Sequence, residues 1–372
     1  MEFAICVSRQ SSREKLGSMS RNSTMHIKTR NVNTAFRELL SGICGGTIAT
    51  VRTSSRYGEV LRIAEPLVIT YEHPSECILF NQSRDSNVFF TLYEALWLLA
   101  GRRDVAPLSY YNSKMPEFSD DGVTYHGSYG YRWRKHFGFD QLDMAASELR
   151  DNPTTRRVVV AMWDATVDLP YACTKGTKDL PCNLEVVFEV EDDHLNITVF
   201  NRSNDIVWGL LGTNVVQFTF LQMYMAARLG LKIGVYHQIS SNAHVYTDRF
   251  EPEKWLAWYN DTSGFDGKLS GDGDYSFTIK TIPLVKDPAT FDRECAEFVE
   301  RHKQDVLAGR YKEPFLQDVA QPMCIAFHHH KRRDYVSALM IAKDLIRADD
   351  WRIASVNWLL KRKANHEHKQ GT

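Results

Sequence analysis

The chain has 372 residues, 43% hydrophobic and 12% aromatic, enough to bury a large core in one domain or in one domain plus an extension. A formal net charge of -1 excludes a global field that would draw nucleic acid or an anionic membrane, so neither is expected as a partner. Seven cysteines without a CxxC or any regular spacing exclude a disulfide framework and suit a reducing cytoplasm, the expected location. Residues 1–30, rich in Ser, Arg and Asn and without a proper apolar signal core, are expected to form a poorly ordered extension. Helical spacing of Phe36, Leu39, Leu40 and Ile43 predicts a helix from Asn33 to Ile43, capped by Asn33 or Thr34. Val60 to Tyr71 alternates loosely around Pro66 and reads as a strand. Val88 to Ala100 is a strongly apolar helix stopped at Gly101, and Gly101 to Asp121 reads as loop. Strands follow at Arg157 to Trp163, Leu184 to Val190 and Leu195 to Asn201, the last two joined by a hairpin turn at Glu191-Asp192-Asp193-His194. Asn214 to Leu229 is an apolar helix closed by Gly230, followed by strand at Gly234 to Ser241 and His244 to Tyr246. No apolar run approaches the roughly 18 residues of a membrane span. Beyond Lys286, Pro288 to Leu307 and Asp334 to Lys363 read as charged amphipathic helices. The expected architecture is α+β: a catalytic unit over 31–286 with a mixed sheet backed by helices, then a helical extension over 287–372.

Several residues stand out chemically. Cys182 enters a strand from Leu180-Pro181; a lone Cys there is more often a structural thiol, but cations such as Arg202 or the pair Arg156-Arg157 would stabilise a nucleophilic thiolate. Cys173 lacks the strand-entry setting. Arg202-Ser203 ends a strand, and arginine forks with a serine hydroxyl suit phosphate, although surface ion pairs are the plainer reading. Asn214 opens a helix and could simply cap it. His244 and Tyr246 alternate on a strand and face one side. Glu94 sits inside the apolar helix Tyr93-Glu94-Ala95-Leu96-Trp97, where a carboxylate is costly unless paired or functional. His328-His329-His330 invites a metal reading, but adjacent histidines on irregular backbone rarely converge, and no metal is expected.

Pro181-Cys182, Asn201-Arg202-Ser203-Asn204-Asp205, Gly212-Thr213-Asn214 and His244-Val245-Tyr246, in this order, resemble the active site of the thymidylate synthase superfamily, which includes the pyrimidine nucleotide hydroxymethylases. The resemblance runs over roughly Asn33 to Lys286. It implies Cys182 as the nucleophile that adds to C6 of a pyrimidine. Glu94 would organise water and proton transfer, and Tyr129 in Gly127-Ser128-Tyr129-Gly130 would assist removal of the C5 proton. Arg202 and Ser203 would bind phosphate within the subunit, and Arg156 and Arg157 would reach the partner's phosphate site in a homodimer. Arg56 would be a mobile phosphate arginine, with Arg52 as its competitor. Asn214 would read the pyrimidine edge, an amide suiting uracil and a carboxylate cytosine. His244 and Tyr246 would hold the sugar hydroxyl, and Asp205 and Trp97 would contact the folate.

The same resemblance implies 5,10-methylenetetrahydrofolate as cofactor and a pyrimidine nucleoside 5'-monophosphate as substrate. Three departures from ordinary thymidylate synthases favour water over hydride as the final acceptor partner. Tyr110 to Phe118 contains no tryptophan, Asn183 replaces the usual His, and the chain ends in His368-Lys369-Gln370-Gly371-Thr372 instead of an apolar tail. The spacing from Arg202 to Asn214 is also one residue longer. The expected function is therefore pyrimidine nucleotide 5-hydroxymethylation, with dUMP favoured over dCMP or CMP. Thymidylate synthase is the alternative, and a non-catalytic nucleotide- or RNA-binding protein is a third reading, which an intact thiol argues against.

Overall fold

The protein is described here by a computed structural model, which covers residues 25–81, 83–248, 275, 279–301 and 311–370. Positions 1–24 of the expected extension and 302–307 of the expected Pro288 to Leu307 helix lie outside the described residues. Met25–Thr29, inside the stretch expected to be poorly ordered, forms an edge strand, β1.

Helix α1 spans Val32–Cys44 and buries Phe36, Leu39 and Leu40. Its cap is Asn31, whose side chain accepts from the Asn33 and Thr34 N–H groups, while the Thr34 hydroxyl accepts from the Asn31 N–H. The expected strand from Val60 to Tyr71 is two strands. β2 (Thr50–Ser55) and β3 (Gly58–Ile63) form a hairpin in one sheet, whereas β4 (Leu67–Tyr71) belongs to another. Pro66 lies at the break, where it cannot donate to a ladder. α2 spans Val88–Leu99. The stretch expected as loop after Gly101 contains helix α3, Val105–Tyr111, and a 3-10 turn, Met115–Phe118. Stacking of Tyr111 on Tyr93 of α2, with ring centroids 4.5 Å apart, pins it. Helix α4 (Gln141–Asp151) follows, burying Leu142, Ala145, Ala146 and Leu149 at helical spacing.

The remaining elements are β5 (Val159–Ala161), α5 (Ala165–Ala172), β6 (Asn183–Glu191), β7 (His194–Asn201), β8 (Asn204–Asp205), α6 (Asn214–Leu229), β9 (Lys232–Ser240) and β10 (Ala243–Tyr246). C-terminal helices α7 (Pro288–Glu300), α8 (Gln321–Lys331), α9 (Tyr335–Leu345) and α10 (Asp349–Gln370) complete the described chain. The three histidines lie on α8, not on irregular backbone. His328 bonds the Tyr110 hydroxyl at 2.9 Å and His329 bonds Asp334 at 3.0 Å.

Two sheets result. The larger runs β1-β4-β9-β7-β6-β5 with mixed directions, and the smaller runs β2-β3-β10-β8. The chain passes between them five times, twice through helices and three times by short direct links: at 64–66, at Arg202-Ser203 and at Ser241-Asn242. These direct links lie at one level, because Ser240 is in register with both Leu67 and Asn201, and Asn201 with Asn183. The signature residues therefore gather where strands leave one sheet for the other.

On the larger sheet, Val186, Phe188, Ile197, Val199, Tyr236 and Ile69 alternate onto the face covered by helices. α6 lies beneath that face and is buried on most sides, its polar Asn214, Gln217, Thr219 and Gln222 included. The continuous stretch Ile206–Leu229 is in fact long and apolar enough to span a bilayer, contrary to the expectation from the apolar runs. Of its most apolar window, 72% is buried inside the protein, so it is the core helix. The C-terminal helices join the same core: Phe327 and Trp358 pack on Phe89 of α2 at 5.4 and 5.3 Å, and Trp351 packs on Phe220 of α6 at 5.9 Å.

Candidate active site

Cys182 is half-buried at the entry to β6, and Arg202 wraps the loop that carries it. The Arg202 Nε donates to the Pro181 carbonyl at 2.8 Å, and its Nη2 donates to the Leu180 carbonyl at 3.1 Å and reaches Cys182 Sγ at 3.6 Å. Arg56, in the β2–β3 turn, clamps the preceding loop by donating to the Thr177 carbonyl and, at 3.0 Å, to the Lys178 carbonyl. Its competitor Arg52 pairs instead with Glu59. Burial raises the Cys182 thiol above its ordinary range and the Asp179 carboxylate adds to this, while Arg202 and Arg56 oppose it. The resting thiol is thus held protonated, and the cations wait beside it for the charged form.

Gly127, two residues before Tyr129, packs directly on the nucleophile loop. A Cβ at Gly127 would stand 2.9 Å from the Pro181 nitrogen, so only glycine fits. Burial drives the Tyr129 phenol well above its usual range, Cys182 adds to the shift, and Asn183 opposes it. Glu94 projects from α2 and accepts from Gln217 Nε2 at 2.8 Å. Burial pushes its carboxyl up to about 7 against the pull of that bond. Trp97, one turn on, is 2% exposed and donates to Asp104 at 3.1 Å, so its polar edge is already taken.

Asp205 caps the π-helical segment Ile206–Thr213: one carboxylate oxygen accepts from the Val207 and Trp208 N–H groups at 2.9 and 2.6 Å. The other oxygen is buried with no hydrogen-bond partner among the described residues. Burial raises this carboxyl, opposed by His244 and Arg84. Leu211 and Gly212 have non-helical backbone, so a kink separates this segment from the helix that follows. Asn214 opens α6 and is nearly buried, with Nδ2 donating to Asn204 Oδ1 at 3.1 Å. His244 and Tyr246 face together from β10, their rings 5.3 Å apart, and His244 is in register with Asp205. Ser203 lies half-buried between Arg202 and β8.

Arg156 and Arg157 stand apart from this cluster. Both are exposed on the loop entering edge strand β5, and neither bonds a described residue. The cations acting on the Cys182 thiol are Arg202 and Arg56.

Five site residues escaped the sequence. Asn183 is wholly buried with both amide atoms unpartnered, immediately after the nucleophile. Asn204 orients Asn214, and its place inside Asn201-Arg202-Ser203-Asn204-Asp205 was the available signal. Gln217 follows Asn214 by three positions on one helix and so shares its face. Asp179, pushed up to about 6 chiefly by burial, accepts from the Gly127 N–H at 3.2 Å. Arg84 donates to the Val207 carbonyl at 3.0 Å. No local pattern marks these last two.

Comparison with known proteins agrees with this geometry. The family model described as Thymidylate synthase matches residues 78–257. A protein of Pseudomonas phage M6 named Deoxyuridylate hydroxymethyltransferase is 37% identical over 92% of this chain and 96% of its own length. The chain belongs to the thymidylate synthase family of one-carbon transferases. A protein of the same name from Bacillus phage SP01 is 36% identical over 52% of each chain, and a Putative thymidylate synthase of Methanothermobacter thermautotrophicus is 34% identical over 35% of this chain and 56% of its own. A match over 92% of this chain takes in at least part of the C-terminal helices, which the family model does not reach.

Proposed function

We propose that this protein is a folate-dependent deoxyuridylate hydroxymethyltransferase, which places a one-carbon unit on C5 of dUMP and lets water, not hydride, complete the product. The observation that carries the reading is the setting of Cys182, with Arg202 Nη2 at 3.6 Å, the Tyr129 phenol beside it and Glu94 on the adjoining helix. Cys182 adds to C6 of the base, which makes C5 nucleophilic. Tyr129 accompanies removal of the C5 proton. Glu94, with a carboxyl near neutrality, both gives and accepts protons at working pH. Arg202, Ser203 and Arg56 take the phosphate. Asn214 uses one N–H on Asn204 and keeps an oxygen and a second N–H for a uracil edge.

The residues present fit a reduced folate. The unpartnered, buried Asp205 oxygen is an acceptor suited to pterin N–H groups, and the half-buried Trp208 lies three residues along. Methylenetetrahydrofolate would supply the one-carbon unit at the oxidation level of formaldehyde.

The absence of tryptophan from Tyr110 to Phe118 supports water capture. Tyr110 and Tyr111 turn instead to α8, where Tyr111 bonds Cys324 Sγ at 3.0 Å and Tyr110 bonds His328. The relatives named for deoxyuridylate hydroxymethylation support the same choice. A homodimer is part of the reading: Val187, Phe200, Val235 and Ile239 make the uncovered face of the larger sheet only half-buried, and Arg157 leads into its edge strand. Thymidylate synthase is the second reading, favoured by the family model itself.

The test is mass analysis of products from dUMP, dCMP, CMP and UMP with methylenetetrahydrofolate, beside an assay for dihydrofolate. Hydroxymethylation adds about 30 mass units and leaves tetrahydrofolate, whereas methylation adds about 14 and yields dihydrofolate. A methyl product with equimolar dihydrofolate would leave thymidylate synthase standing.

A further inference from the structure

We infer that the C-terminal helix α10 holds the active-site wall in place through Asp85, with Arg362 as a positioning residue that keeps Asp85 from capturing Arg84. The Arg362 Nη1 donates to Asp85 Oδ1 at 2.7 Å, and Lys361 Nζ lies 3.7 Å from the same oxygen. The guanidinium is itself stacked over the Trp358 ring, 4.2 Å from its centroid, so it is aimed before it binds. Asp85 has φ +54°, a conformation that a non-glycine residue keeps only where its surroundings hold it.

The neighbouring residue, Arg84, points the other way, into the site. Its backbone N–H donates to Asn81 Oδ1 at 2.7 Å, its Nε donates to the Val207 carbonyl at 3.0 Å, and its charge acts on the Asp205 carboxylate. Two residues past Asp85, Asn87 caps α2, the helix that carries Glu94, by accepting from the Phe90 N–H at 3.1 Å. The segment from Ser83 to Asn87 therefore joins α10 on one side to Asp205 and Glu94 on the other. Asp85 also acts electrostatically on Arg84. Released from Arg362, its carboxylate would compete with the Val207 carbonyl and Asp205 for that guanidinium, since a carboxylate is the stronger partner for arginine.

The consequence for the folate side rests on the proposed function. The measurement is calorimetric binding of tetrahydrofolate to the full-length protein with dUMP present, alongside melting temperature and the KM for each substrate. Arg362→Ala should weaken tetrahydrofolate binding roughly tenfold, the loss of about one charge-assisted contact, with dUMP affinity within twofold. Arg362→Lys should restore most of it. Arg362→Ala combined with Asp85→Asn should also restore it, because a neutral amide cannot capture Arg84 and asparagine tolerates the left-handed backbone. A helix that merely braces the fold would lose further stability in the double variant and recover nothing. Equal tetrahydrofolate binding by wild type and Arg362→Ala, or no recovery with Asp85→Asn, overturns the inference. A wild type that binds no tetrahydrofolate at all overturns the folate reading beneath it.

Discussion

Glu94 is a carboxyl group that burial holds near neutrality on a helix otherwise apolar, and its titration can be followed in two ways. Its folded value of about 7 lies above the ordinary 4.5, so the folded protein grips the proton harder than the unfolded chain. The resulting stability is complete below about pH 4.5 and is lost as pH rises through about 7. Urea denaturation of wild type should therefore lose stability between about pH 5 and pH 8, and Glu94→Gln should lose on the order of 1–3 kcal/mol less, the rest belonging to Asp179 and Asp350, which burial also raises to about 6 and about 7. In turnover, the same substitution should cost about 10²-fold or more in kcat and erase the inflection near neutrality. A Glu94→Gln profile that matches wild type would remove Glu94 from proton transfer.

At the scale of elements, the start of α6 decides which base is read. A kink at Leu211 and Gly212 sets it off from the preceding turn, and Asn204 fixes the Asn214 amide from the neighbouring strand. Asn214→Asp should shift preference toward cytosine nucleotides, because a carboxylate accepts from the cytosine amine but gives no donor to uracil O4. The shift should be on the order of 5–150-fold in the ratio of kcat/KM for dCMP and dUMP. A ratio that does not move would place base reading elsewhere, with Asn183 the next residue to test, since both its amide atoms are buried and unpartnered.

For the whole molecule, the position of Arg156 and Arg157 is the informative feature. They are exposed and outside the cluster around Cys182, as residues would be that serve another subunit's site. Cys182→Ser should abolish turnover while nucleotide binding survives within a few-fold, because a hydroxyl is a far poorer nucleophile than a thiolate. Mixed with equally inactive Arg157→Ala protomers and allowed to exchange, it should regain about a quarter of wild-type activity, since half of the dimers are mixed and each restores one of its two sites. Well-exchanged mixtures that stay inactive would refute a shared site.

The sequence by itself determined the local chemistry: alternating apolar residues made β6 and β7, mostly apolar runs made α2 and α6, and glycine ended both helices. It also marked Cys182, Arg202, Asp205, Asn214 and His244, because short motifs carry their side chains with them. Residues whose role lies in a distant contact were invisible in it. Gln217 matters through Glu94, 123 positions away, and Arg84 through Val207, also 123 away. The split of one expected strand into β3 and β4, the helices after Gly101 and the single core shared with the C-terminal helices were decided only by tertiary packing. Each depends on burial against elements remote in the chain, such as Tyr93 on Tyr111 and Phe89 on Trp358, and burial of that kind has no local period to read.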